Sequence, residues 1–183
     1  TEDNEVRCAH PATAAEMRER IDEYQKAGDS IGGSIYFEAR GVPRGLGAPR
    51  FDSFPARLGQ AMMAIPATTG FEFGLGREAR EWTGKNRNED WEFSESGDPV
   101  PEGNTHGGLQ GGITTGQPVY GEATWHAPTS IPKTQKTADW ETGEEKEIQV
   151  VGRHDPVLPP RAVPVVEAML NLTILDFMLL GGR

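Results

Sequence analysis

The chain has 183 residues, a length that suits one domain with a sizeable core, and it carries 18 Lys+Arg against 28 Asp+Glu for a formal charge of -10. A scattered acidic excess of this kind disfavours non-specific nucleic-acid binding, which draws on net basic patches. The single Cys8 excludes an intrachain disulfide and a cysteine-rich metal site.

In chain order, Thr13 and Glu16 read as a capping box. Ala14, Met17, Ile21 and Tyr24 follow at helical spacing, and Gly28 closes a surface helix with a narrow apolar stripe. Imperfect alternation of Ile31, Ile35, Phe37 and Ala39 predicts a strand over 34–40. The stretch GVPRGLGAPRF is too rich in Gly and Pro for regular structure and predicts an extended loop. A second helix begins near Pro55 behind Asp52 or Ser53, with Leu58, Ala61, Met62 and Ile65 on one face and Pro66 as its stop. Residues 71–74 predict a short strand, and 77–104 a long polar loop or flap with Trp82 and Trp91 inside charged sequence.

Residues 119–125 and 147–151 predict two further strands, separated by a polar loop or β-excursion. The last helix is expected over 164–180, with 12 of the 16 residues from Val165 apolar. A helix apolar nearly all round must be covered on most sides. Its 16-residue window contains Glu167 and Asp176 and is short for a membrane span, which needs about 20 apolar residues. No charged n-region with an apolar run opens the chain, so a soluble, cytoplasmic protein without membrane contact is expected. Short strands around a covered helix argue an α+β fold.

Two glycine pairs in NTHGGLQGGITTGQP (104–118) allow backbone N–H groups to approach an anion or a flat ring. Taken alone the run reads as a turn, since it matches neither nucleotide-binding glycine pattern. Arg153 and Asp155, taken alone, read as a structural ion pair. His10, His106, His126 and His154 show no spacing for a metal site, and none is expected.

Read together, GDSIGG (28–33), GVPRGLGAPRFD (41–52), MAIPATTG (63–70), the glycine run, PTSIPKTQKT (128–137) and GRHDPVLPPRAVPVVEAM (152–169) resemble chorismate synthase. They occur in that family's order and cover nearly the whole chain. The resemblance implies a β-α-β sandwich, antiparallel sheets packed on central helices, of which residues 1–183 would be the C-terminal part. It implies a 1,4-anti elimination of phosphate from 5-enolpyruvylshikimate 3-phosphate, dependent on reduced FMN without net redox change, within aromatic amino-acid biosynthesis. A homotetramer is implied as well. Whether reduced flavin would come from a reductase or from the enzyme's own NADP-dependent activity is open.

By motif, Arg153 looks like the residue that contacts substrate and flavin, and Asp155 like the carboxylate that relays a proton at flavin N5. Gly111 matches a glycine lying against the flavin, and Ala67 the alanine of a flavin-contacting pair. His126, Ala127, Pro128, Thr129 and Ser130 match the flavin phosphate loop. Three departures stand out. His126 and Thr69 replace two family lysines, so two cations are missing where an anionic cofactor would bind. The family is also about twice this length, and its other half carries the histidines that act as acids and an arginine-rich substrate loop. The alternative is therefore a fragment that is not catalytic, binding flavin or phosphate weakly or serving oligomerisation. With Arg making up 13 of the 18 basic residues, the acidic, Lys-poor composition resembles that of proteins from salt-loving archaea.

Overall fold

The computed structural model describes residues 2–181. Its packing divides into two compact units, Thr1–Gly33 with Trp125–Val163, and Ser34–Thr124 with Pro164–Arg183.

The first unit opens on α1 (Pro11–Lys26). Its cap differs from the expected capping box: the His10 ring accepts from the Thr13 N–H, and Pro11 takes the first helical position. Proline fits there because that N–H has no helical acceptor to lose. The helix ends as expected at Gly28, whose positive φ of 63° carries a Schellman-type closure. The Asp29 N–H reaches the Tyr24 carbonyl at 2.9 Å and the Gly28 N–H that of Gln25 at 3.1 Å. Only Ala14 of α1 is buried, as a surface helix requires.

The second unit is built on a three-stranded sheet, β1 (Gly33–Ala39), β7 (Val119–Trp125) and β2 (Thr68–Phe73), with β7 in the centre. Strict alternation buries Val119, Gly121, Ala123 and Trp125. Gly121 is obligatory there, because a Cβ would come 2.4 Å from the Glu72 carbonyl oxygen and 2.8 Å from the Phe37 ring. α2 (Phe54–Met63) has Ser53 at its N-cap position, without a side-chain capping bond, and buries Phe54, Leu58 and Met62. Its Phe54 ring stacks on Phe177 of the last helix at 5.2 Å. The Gly/Pro stretch before α2 is irregular as expected, yet pinned: buried Thr114 donates to the Pro43 carbonyl at 2.6 Å and accepts from the Leu46 N–H at 2.9 Å.

Residues 77–104 are not the loop expected. They hold a 3-10 turn (Gly76–Glu81), α3 (Gly84–Arg87) and an antiparallel pair, β3 (Trp91–Phe93) with β4 (Pro99–Pro101). All of β3 is exposed, so no apolar alternation marks it. β5 (Leu109–Gln110) and β6 (Ile113–Thr114) make a hairpin whose turn is Gly111–Gly112, both at positive φ. That is the two-glycine turn matching the twist of paired strands. The strand expected over 147–151 is instead β9 (Glu145–Ile148), paired with β8 (Gln135–Ala138) in the first unit. Gln149–Val151 lie outside it, because the pairing ends at Gln135↔Ile148.

The last helix, α4, spans Pro159–Gly181 and so starts five residues before the expected Pro164. Pro159 and Pro160 sit in the first turn, where no N–H is missed. Pro164 lies inside the helix and cannot donate to the carbonyl of Pro160, four residues back. Arg7 replaces that donor, its Nη1 reaching the Pro160 carbonyl at 2.6 Å. At 23 residues α4 is long and apolar enough to cross a membrane by length and composition, correcting the estimate from the shorter window. Glu167, Asn171 and Asp176 interrupt its exposed side.

Candidate active site

In the first unit the turn at 152–156 begins on Gly152, at a φ of 151°. Asp155 stands between two guanidinium groups, Arg161 Nη1 at 2.9 Å from Oδ2 and Arg153 Nη2 at 3.8 Å from Oδ1. Asp155 is 30% exposed and Arg153 81%. The turn is anchored from behind by the Ile31 N–H, which donates to the Pro156 carbonyl at 2.8 Å.

Between Arg153 and Asp155, the His154 ring ties the turn to the 126–130 loop. Its Nε2 lies 3.2 Å from the Val150 carbonyl, which can only accept, so Nε2 carries the proton. In the neutral ring Nδ1 then accepts from the Ser130 hydroxyl at 3.1 Å. The loop itself is tied back through its carbonyls. Ala127 O accepts from His126 Nδ1 at 2.7 Å, Pro128 O from the Ser30 hydroxyl at 2.5 Å, and Thr129 O from Gln135 Nε2 at 3.3 Å. Among the described residues the N–H groups of Ala127, Thr129 and Ser130 donate to no protein acceptor. Carbonyls engaged and amides open make a donor-rich loop suited to an anion. Gly32 permits the arrangement, since a Cβ there would meet Trp125 O at 2.8 Å and Ala127 N at 3.2 Å. Lys133 is committed beside it, donating to Asp29 Oδ2 at 2.6 Å. That hydrogen bond, with a second from the Ser30 N–H, holds the Asp29 carboxyl below the usual carboxylate range.

In the second unit Gly111 is the first residue of the hairpin turn, and a Cβ there would meet nothing within 4 Å. Its backbone is open to a flat neighbour. It borders a cleft of about 430 Å³ with Arg87, Glu89, Trp91, His106 and Gln110. Thr105 ties that rim together, donating to Glu89 through both its N–H and its hydroxyl and accepting from Arg87 Nη1 at 2.5 Å. Glu89 Oε2 is buried without a partner among the described residues. Ala67 holds a φ of 65°, costly for a residue with a Cβ. Thr69 is exposed and donates to the Thr124 carbonyl at 3.3 Å.

Arg153, Asp155 and the 126–130 loop thus form one connected set in the first unit, while Ala67 and Gly111 belong to the second. Arg161 and Lys133 were not expected from the sequence. Arg161 lies six residues from Asp155 across a proline-rich turn, a spacing with no periodic signal. His10, one of the four histidines, is a helix cap.

On an α+β scaffold, the cluster sets one carboxylate between two guanidinium groups beside a loop with open amides, an arrangement chemically suited to an anion. The chorismate synthase family model matches residues 1–179. The chain is 83% identical over 183 residues to the chorismate synthase of Haloquadratum walsbyi, covering 100% of this chain and 48% of that protein. To the chorismate synthase of Methanosarcina barkeri it is 45% identical over 177 residues, covering 97% and 48%. A crystal structure of chorismate synthase superposes with a TM-score of 0.78 at 30% identity, over 97% of this chain and 46% of that one. The chain belongs to the chorismate synthase family. It spans about half the length of the curated relatives it matches.

Proposed function

We propose that this chain is the C-terminal half of a chorismate synthase, which eliminates phosphate from 5-enolpyruvylshikimate 3-phosphate to give chorismate. In that reaction a C–H bond and the C–O bond to phosphate break, a C=C bond forms, and one proton and one phosphate leave. The observation that carries the reading is the Asp155 carboxylate held between Arg153 and Arg161 and tied through His154 to a loop of open amides.

The 126–130 loop fits the phosphate of FMN, with the amides of Ala127, Thr129 and Ser130 as donors and the His126 ring adjacent. Taken by itself, the second unit offers open backbone for a flat ring at Gly111, and Ala67 there matches a flavin-contacting alanine of the family. When bound, reduced FMN supplies an electron and a proton acceptor to a reaction with no net redox change. Arg153 holds the anionic groups of the substrate through charge-assisted hydrogen bonds. Asp155, acceptor-only while ionised, takes up a proton at its free carboxylate oxygen and passes it on. Clamping the substrate and donating protons also involve the half of the domain that this chain does not span. Assembly into a homotetramer belongs to the same reading.

The test is a chimera in which this chain replaces the matching 183 residues of the Haloquadratum walsbyi relative. Anaerobic incubation with reduced FMN and substrate should release chorismate and phosphate together, and Asp155→Asn should abolish both. Native turnover by the Asp155→Asn chimera would remove Asp155 from the chemistry.

A further inference from the structure

Two arginines flank Asp155, and they do not hold it alike. Arg161 Nη1 at 2.9 Å is within the range of a charge-assisted contact, whereas Arg153 Nη2 at 3.8 Å is not. Their anchorage differs too. Arg153 sits on the turn with its side chain 81% exposed, against 60% for Arg161. Arg161 is the third residue of α4, whose first turn is fixed on several sides. The Pro159 ring lies where a Cβ on Gly33 would come within 3.1 Å. The Pro160 carbonyl is held by Arg7 at 2.6 Å, and the Arg161 N–H donates to the Leu158 carbonyl at 3.0 Å. A carboxylate paired with a side chain on a fixed helix end keeps one orientation, and one paired only with its own turn does not.

We infer that Arg161 is a positioning residue: it holds Asp155 by Oδ2 and thereby leaves Arg153 for the anionic groups of the substrate. The inference rests on the roles proposed above for Asp155 and Arg153. Its physical core is a competition between two cations for one carboxylate. Without Arg161 the nearest cation to Asp155 among the described residues is Arg153, on the same turn and already 3.8 Å away. The two would close on each other, spending the donors that the substrate needs and turning the carboxylate away from the proton it handles.

The experiment uses the chimera with the Haloquadratum walsbyi relative and the variants Arg161→Met, Arg161→Lys and Asp155→Asn. Arg161→Met should lower kcat about ten- to a hundredfold, the cost of a misplaced catalytic group, and Arg161→Lys should recover part of that loss by keeping the charge. A second readout needs no turnover. Nitrogen NMR of the guanidinium groups should show restricted rotation for Arg161 and averaged signals for Arg153; in Arg161→Met, Arg153 should become the restricted one. Averaged Arg161 signals in the native chimera overturn the inference, as does full turnover in Arg161→Met while Asp155→Asn is dead. Either result leaves the role of Asp155 standing. Native turnover in Asp155→Asn instead removes the reading on which the inference rests. Should Arg161→Met fail to fold, the native spectrum and the Arg161→Lys chimera decide the matter.

Discussion

The Arg7 guanidinium and the Pro160 carbonyl meet at 2.6 Å, and this contact lets α4 begin before its internal proline. Pro164 has no N–H for that carbonyl, which would otherwise be a partly buried acceptor without a donor. Arg7 therefore completes the helix from outside it. Arg7→Met should lower the unfolding free energy by about 1.5–3 kcal/mol, the range for a lost hydrogen bond to a charged group. Urea denaturation checks this. The effect should fall on the start of α4, seen as faster amide exchange at 161–163, and unchanged exchange there would rule it out.

Asp29 makes stability depend on pH at the acid end. The Lys133 hydrogen bond, and then the Ser30 N–H, hold its folded pKa below the usual value. A depressed folded pKa means the unfolded chain binds the proton more readily. The contribution is therefore fully present above the ordinary aspartate range, around pH 4, and is lost as pH falls through the lower folded value. Lys133→Met should melt below the native chain at neutral pH, and the two melting temperatures should converge as pH falls through the lowered folded value. A constant gap down to the acid limit would mean that the pair contributes nothing through titration.

His126 stands where the family keeps a lysine, and its Nδ1 already donates to the Ala127 carbonyl. Lysine would place a permanent cation beside the open amides of the 126–130 loop. His126→Lys in the chimera should therefore bind FMN about tenfold more tightly, the worth of one charge-assisted contact. Fluorescence titration of the two proteins decides it, and equal affinities would dismiss the idea.

These sites were legible in the sequence to different degrees, for physical reasons. Alternation exposed β7, because it is buried on one face, and helical spacing exposed α2 for the same reason. β3, β8 and β9 bury almost nothing, so no apolar period marks them. The start of α4 was hidden because Pro159, Pro160 and Pro164 each argue locally against helix, while the donor that rescues it is Arg7, far away in sequence. Arg153, Asp155 and the 126–130 loop are singled out in the sequence only by a family pattern. Arg161 is not, because its bond to Asp155 depends on how the PVLPP turn folds back. The open amides at 127, 129 and 130 were equally invisible, since carbonyl partners such as Ser30 and Gln135 come from other segments.

Among the described residues, α4 carries a second apolar seam that is exposed. Ala162, Val166, Leu170 and Phe177 are buried along one side. Val165, Leu172 and Leu179 lie exposed seven residues apart, with Leu175 between the last two, and Leu172 and Leu179 are 60% and 70% exposed. A 3.5-residue apolar spacing is the seam that packs against another helix. Fully burying one leucine is worth about 1.5–3 kcal/mol, so several of them outweigh the entropy of bringing two chains together at ordinary concentrations. The 183-residue chain by itself should therefore associate through this face, and, lacking the other half of the domain, should not turn substrate over. Leu172→Glu with Leu179→Glu should shift the isolated chain towards monomer in light scattering. The same pair in the chimera should lower the melting temperature, because there the remaining half of the domain would occupy the seam. A monomeric native chain, or steady chorismate formation by that chain alone, would show that this face and these residues are already sufficient without a cover.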